Sequence, residues 1–485
     1  SIETMKLMAA LIRAAMAVAL VFAAILAGAQ GAAFLDTPAA PAKHVMLFIS
    51  DGASWGTWHM ASYYEHGALG HQPYDAFSVK LGMTTVPLNT SSVPTGNTTR
   101  TVSYDPARAW DTTPLAGQLG GRPHHFAGYE YLRRDATDSA AAATALASGT
   151  KTYNGAINHD NLGRALTYAT QRAKARGQAT GVLTSVPFSH ATPAAFGAQS
   201  ASRNSYGAIS EQMLANPALD LIMGAGHPLF DADGRPRSSP DHRYVSAAAW
   251  AALQGPASPR TLVQTRADFE ALALGQLQPR LPLLGLVQVH DTLQANRNVA
   301  VVGANPGLPS GAATIPGVPT LATMTRGALQ LLGHQPKGFF MMVEGGAVDW
   351  MAHANNTARV IEEQMDFNHA VQAAVDWVHT HSHWGESLII VLTDHGNGMP
   401  MGPGSDRVPF EPIRNHGQGV LPGVRWHHGS HSNENTLLWA HGQGAQQLLQ
   451  AAQTVDPALV SRLGHNRDGR TLTNADVARV LVPAP

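Results

Sequence analysis

The chain has no cysteine among its 485 residues. Disulfide cross-links and thiolate metal sites are therefore excluded, so carboxylate, imidazole or hydroxyl groups must hold any metal. Charge is scarce too: Asp, Glu, Lys and Arg make up 13% of the chain, against a usual ~25%. With a formal net charge of −1 there is no basic excess to neutralise a phosphate backbone, and nucleic acid is not an expected partner. No internal repeat or heptad run occurs, and after the N-terminal segment no apolar run approaches membrane length. Apolar residues are abundant, at 44%, which is ample for a sizeable core, and the chain carries 24 histidines.

Residues 5–29 read as a secretory signal, with residues 1–4 standing ahead of Met5. Lys6 and Arg13 form the positive region, Ala14 to Leu26 the apolar stretch, and Ala27-Gly28-Ala29 a small-residue cleavage site. The rival reading, an uncleaved anchor, needs about 20 apolar residues, and the stretch is shorter. A periplasmic or secreted protein is expected, without stable membrane association once the signal is removed. Strand-like runs from near residue 45 to near 440 imply one domain over 43–485, with insertions around 84–130, 226–320 and 396–430. A midway cut would separate Asp51 from Asp394. Helical periodicity marks residues near 358–379 and near 437–455.

Four short apolar runs end in residues able to bind a metal. Val45–Ile49 leads to Asp51, Phe339–Val343 to Glu344, Asp349 and His353, and Leu388–Leu392 to Asp394 and His395. Gly181–Val186 leads to His190 and Thr192. Continuous apolar strands separated by helices predict an α/β fold, a three-layer sandwich around a large, mostly parallel sheet. Ligands of such sheets gather at the carboxyl ends of the strands. Asp349 and His353 stand four apart, so on a helical turn they share a face. Carboxylate with imidazole suits zinc, whereas Asp51, Glu344 and a threonine hydroxyl suit magnesium. Any one of these groups alone is ordinary turn chemistry; the joint pattern is a site. His124, His125, His381, His383, His427 and His428 read as surface residues, because nothing orders them against a strand.

Asp138-Ser139 opens the alanine-rich run to Gly149, which should be helical. A helix start offers unpaired N–H groups and partial positive charge, which favour an alkoxide and seat a phosphate. By itself the pair is equally an ordinary cap. Serine also needs a base or a metal before it becomes a good nucleophile, and no histidine adjoins Ser139 in sequence.

From about residue 43 to 445 the chain resembles the alkaline phosphatase family. The segments that carry the resemblance are Ile49-Ser50-Asp51-Gly52, Asp138-Ser139 with the alanines to Thr144, and Gly149-Thr-Lys-Thr-Tyr-Asn154-Gly155. They continue with Ala191-Thr192-Pro193, Val343-Glu344-Gly345, Asp349 with His353, and Thr393-Asp394-His395. The resemblance implies that Ser139 forms a phosphoserine intermediate on phosphate monoesters. It implies two Zn2+, one held by Asp349, His353 and His431, the other by Asp51, Asp394 and His395. It further implies one Mg2+ on Asp51, Thr192 and Glu344, and a homodimer. Arg203, eleven residues after Thr192, matches the family's phosphate-binding arginine, whose planar fork suits two phosphate oxygens. At His431-Ser432-Asn433 the family usually has His-Thr-Gly, and His428 is the rival ligand; the strand register of Leu437–His441 favours His431. His190 and Trp350 stand where other members carry Asp and Lys, which bears on metal preference and phosphate release. The competing functions are a phosphodiesterase or sulfatase of the same superfamily, or a non-catalytic metal- or phosphate-binding protein.

Overall fold

The computed structural model describes residues 2–17 and 40–483. Residues 2–17 form a helix with every side chain exposed. Of the signal-like segment, residues 18–29 lie outside the described residues. No helix among the described residues is long and apolar enough to cross a membrane.

From Pro41 onward the chain forms one compact unit around an eleven-stranded sheet. In chain order the strands are β1 (His44–Ser50), β2 (Val79–Thr84), β3 (Ala179–Pro187), β4 (Leu221–Ala225), β5 (Thr261–Val263) and β6 (Leu283–Leu286). There follow β7 (Phe339–Gly345), β8 (Ser387–Leu392), β9 (Thr436–Gly442), β10 (Thr454–Val455) and β11 (Arg470–Thr473). Across the sheet they lie β10-β11-β2-β9-β8-β1-β7-β3-β4-β6-β5. The block from β8 to β5 is wholly parallel, and only β9 and β10 run against the rest.

The continuous apolar runs follow from burial on both faces. In β1, Val45, Leu47 and Ile49 join one core cluster while Met46 and Phe48 join the other. β7 and β8 alternate in the same way. Each such fully buried large side chain contributes roughly 1.5–3 kcal/mol. The helices that frame the site are α1 (Trp55–His66), α2 (Ser139–Ser148), α3 (Ala191–Ala195), α4 (Leu321–Leu332), α5 (Ala347–His353) and α6 (Thr357–His381). Residues of α2 cover one face of the sheet, and those of α1, α4 and α6 the other.

Two local expectations change. Residues 226–320 are not all peripheral, because β5 and β6 within them extend the main sheet. At three and four residues these strands are too short to stand out by periodicity. Near 437–455, helical structure begins only at Ala445, since Thr436–Gly442 is committed to ladders with β8 and β2.

Candidate active site

The residues singled out at strand ends meet along one edge, because β8, β1, β7 and β3 are neighbours in the sheet. β9 runs antiparallel to β8, so its approach segment starts at that same edge. A two-stranded ribbon there pairs Gly396 with Ser432 and Asn397 with His431, which sets His431 beside His395. Their rings stack with centroids 3.6 Å apart. A side chain at Gly396 would collide with Glu434, its Cβ falling 1.6 Å from the carboxylate. Gly52, at φ +73°, likewise lets Asp349 approach, since a Cβ there would meet the Asp349 backbone at 2.8 Å.

Two groups of side chains that could hold a metal ion result. Asp51, Asp394 and His395 have ligand atoms all within 4.8 Å of one another, and so do Asp349, His395 and His431. His395 Nε2 lies 3.3 Å from Asp51 Oδ1 and 3.3 Å from Asp394 Oδ2. Asp349 reaches His431 Nε2 through one oxygen at 3.1 Å and His353 Nε2 through the other at 3.3 Å. His353 therefore joins the site through Asp349. Thr192 Oγ1 is 3.3 Å from Asp51 Oδ2, and Glu344 accepts from Thr184 Oγ1 at 2.5 Å. His428 lines the cavity without joining either group.

The donor set fits cations. All three imidazoles turn Nδ1 to a backbone carbonyl: His395 to Gly396 at 3.0 Å, His353 to Gly429 at 3.1 Å and His431 to Thr137 at 2.8 Å. Nδ1 therefore carries a proton, and Nε2 is the atom each ring turns toward the carboxylates and would offer to a metal. Asp394 Oδ2 is fully buried and accepts no hydrogen bond. Burial, followed by the charges of Asp394, Asp349 and Glu344, pushes Asp51 well above the usual carboxylate range. Burial and Asp349 bring Asp394 to about 7, and burial brings Glu344 to about 7. Burial opposes charge on Asp349 as well, but His431 and the hydrogen bonds from His353 and His431 hold it well below its usual value. Converging buried carboxylates are costly unless a cation neutralises them.

Ser139 is the first residue of α2, and Asp138 is the cap, accepting from Ala141 N–H at 2.9 Å. Ser139 Oγ lies 3.0 Å from His395 Nε2 and 3.3 Å and 3.4 Å from the two oxygens of Asp51. The histidine that sequence adjacency does not supply is thus supplied in space. The other oxygen of Asp138 receives Arg203 Nη1 at 3.2 Å, so one residue both caps the helix and orients the guanidinium. Burial works against charge on Arg203, and Asp138 keeps it firmly protonated. His190 stands behind it, 3.5 Å from Arg203 Nη2, between the rings of Tyr206 and Trp350. Ser139, Arg203, His190 and Trp350 all line one cavity of about 680 Å³.

The expectation of a surface His427 is corrected. It is 2% exposed, with Nε2 2.6 Å from Ser405 Oγ and its ring against Tyr129. Packing of the long 396–430 loop against Tyr129, remote in sequence, buries it. His124, His125 and His428 are half-buried, while His381 and His383 are exposed. Two positioning residues escaped the sequence reading. Asn397 Nδ2 donates to Asp349 Oδ1 at 2.7 Å. Thr184 faces Glu344 because the two occupy the same register on adjacent strands. Nothing in their spacing marks them, since each acts through a partner that only the sheet brings near.

The family model described as alkaline phosphatase matches residues 42–447. Alkaline phosphatase 3 of Bacillus subtilis (strain 168) is 30% identical over 272 residues, covering 55% of this chain and 50% of the relative. The chain thus spans about half the length of that curated relative. Alkaline phosphatase of Escherichia coli (strain K12) is 29% identical over 407 residues, 77% of this chain and 74% of that protein. The fold matches the alkaline phosphatase structure from the Antarctic bacterium TAB5 with a TM-score of 0.58, at 22% identity, over 91% of this chain and 98% of the other. The chain belongs to the alkaline phosphatase family.

Proposed function

We propose that this protein is an exported, metal-dependent phosphomonoesterase with Ser139 as its nucleophile. One juxtaposition carries the reading: Ser139 Oγ faces His395 and Asp51 on one side, and Arg203 is tied to the neighbouring Asp138 on the other. Export is supported by the signal-like segment 5–29, and a homodimer by the family resemblance.

Asp349, His353 and His431 would hold one zinc, Asp51, Asp394 and His395 a second, and Asp51, Thr192 and Glu344 a magnesium. Bound there, the cations supply positive charge against developing oxyanions and lower the pKa of an adjacent hydroxyl or water. A mutant of the TAB5 relative is described with Mg in its M3 site. The remaining chemistry belongs to the chain. The N–H groups at the start of α2 and the fork of Arg203 bind the phosphate oxygens and set the phosphorus in line with Ser139 Oγ. The Oγ–P bond forms as the ester O–P bond breaks, and the leaving alcohol departs with a proton. Water then cleaves the Oγ–P bond, restoring Ser139 and releasing phosphate. Asp138 orients the Arg203 guanidinium that receives the phosphate.

The test is phosphate release from a simple aryl phosphate at alkaline pH, with protein as purified, chelator-stripped, and reloaded with zinc and magnesium. Loss on stripping and recovery on reloading is the expected result. No release in any metal state would overturn the reading and turn attention to a diester or sulfate ester.

A further inference from the structure

The cavity has a second charged wall that the chemistry above leaves unused. Gly120 and Gly121, at φ 58° and 76°, close a tight ribbon between Gln118–Leu119 and Arg122–Pro123. Positive φ at both central positions is the hairpin geometry that glycine permits. Arg133, only 7% exposed, donates to the carbonyls of Leu119 at 3.2 Å, Arg122 at 3.3 Å and Pro123 at 2.6 Å, and to that of His427. It thereby ties the ribbon to the segment that leads into His431. Its buried Nε has no partner.

That tie seats Arg122 over Gly429: a Cβ on Gly429 would lie 3.4 Å from Arg122 Nη2 and 3.8 Å from its Nε. His428 and Ser430, on either side of Gly429, line the same cavity as Ser139, Arg203 and Arg133. Among the described residues no carboxylate forms an ion pair with Arg122 or Arg133. The acid whose charge reaches Arg133, Glu130, is paired with Arg134 and lies 3.5 Å from His124. Arg133 at the cavity, and Arg122 beside Gly429, therefore stand without counterions of their own. A buried charge left without one is costly. An anion arriving from outside would relieve that cost. The cavity also has room for more than one phosphate, since about 680 Å³ is the volume of sites that enclose drug-sized ligands.

We propose that Arg122, backed by Arg133 and flanked by His428, binds a second phosphate of the substrate, and that organic bisphosphates are the preferred substrate class. This inference rests on the phosphomonoesterase reading. Arg122 supplies the direct contact, because it is half-buried and its guanidinium has no partner of its own. Arg133 has spent four N–H groups on carbonyls and contributes fixed charge.

The test uses the metal-loaded full chain and a series of straight-chain diol bisphosphates, each against its matched alkyl monophosphate. After the statistical factor for two equivalent phosphates, the best bisphosphate should exceed its monophosphate in kcat/KM by about tenfold, the scale of one charge-assisted contact. Arg122→Ala should remove that excess through KM and leave the monophosphate unchanged. Arg122→Lys should retain part of it, and added salt should shrink it in the parent protein. His428→Ala, which removes the flanking imidazole, should reduce it as well. Hydrolysis of the monophosphates with no bisphosphate excess, or an excess that survives Arg122→Ala, would overturn the subsite alone. Failure to hydrolyse any alkyl phosphate would overturn the phosphatase reading and the subsite with it.

Discussion

Two regions of this molecule bury clustered acids, and they do so to different effect. At the strand edge, Asp51, Glu344, Asp349 and Asp394 come from three strand ends, and Asp51, Asp349 and Asp394 face the Nε2 atoms of three imidazoles. On α6, Glu362, Glu363 and Asp366 ride a single helix beside a smaller cavity of about 220 Å³. There two of the acids are answered locally. Arg297 pairs with Glu362 at 2.8 Å, Ser310 N–H donates to Glu362 at 2.7 Å, and Leu321 N–H donates to Asp366 at 3.3 Å. Glu363 is pushed up to about 8 by burial and by Asp366 and Glu362, so it stays protonated at neutral pH. Among the described residues the metal-binding groups lie only at the strand edge. Burial of acids does not make a cation site; convergence of imidazole Nε2 atoms upon them does.

The two regions should differ most at Ser139. Ser139→Ala should lower kcat by about 10⁴-fold or more while leaving metal content unchanged, because the residue removed is the proposed nucleophile and not one of the proposed ligands. Equal turnover in the variant would remove the reason for treating the strand edge as catalytic. Next in size is the metal dependence. Asp394→Asn should lose bound zinc, measured by elemental analysis of the purified protein, whereas Glu363→Gln should keep it. Chelation should lower the Tm of the parent and of Glu363→Gln alike, since ions that bind only the folded state stabilise it by mass action. Parent-like zinc in Asp394→Asn would erase the distinction between the regions.

Asn397→Ala should weaken activity at limiting metal by about 10- to 100-fold, the usual cost of losing a group that orients a ligand. Excess metal should restore most of it; a variant indifferent to metal concentration would show that Asp349 does not depend on Asn397. The smallest effect belongs to α6. Folded Glu363 keeps its proton to about 8, against 4.5 for the free group, so between those values the folded state binds more protons than the unfolded. Its contribution is complete below 4.5 and is lost as pH rises through about 8. Glu363→Gln should therefore gain stability relative to the parent across that window, by on the order of 5 kcal/mol over its full width, with activity little changed. Parallel denaturation midpoints for the two proteins across that range would show that Glu363 is not held protonated.

The strand-end acids were legible because β1, β7 and β8 are buried on both faces, and an uninterrupted apolar run stopping at an acid is conspicuous. Asp138 and Ser139 were legible as a helix start, though the division of labour was not. Asp138 caps while Ser139 sits one position inside, and this turns the serine toward Asp51 and His395. His427 was misjudged because its burial depends on Tyr129, a contact 298 positions away in the chain. Asn397, Thr184 and Arg133 were silent for the same reason: each acts on a group set beside it by strand order or by a loop tie.

Local chemistry is what the order of residues determined: which runs are buried strands, which helix begins at an acid and a serine, and the absence of thiol chemistry. These follow from periodicity, capping and residue type over a few neighbours. Only the tertiary structure decided that β8, β1, β7 and β3 lie side by side, that antiparallel β9 brings His431 to their shared edge, and that a Gly-Gly ribbon carries Arg122 over Gly429. Those placements depend on how helices and strands far apart in the chain bury one another's apolar faces, and no local pattern encodes that.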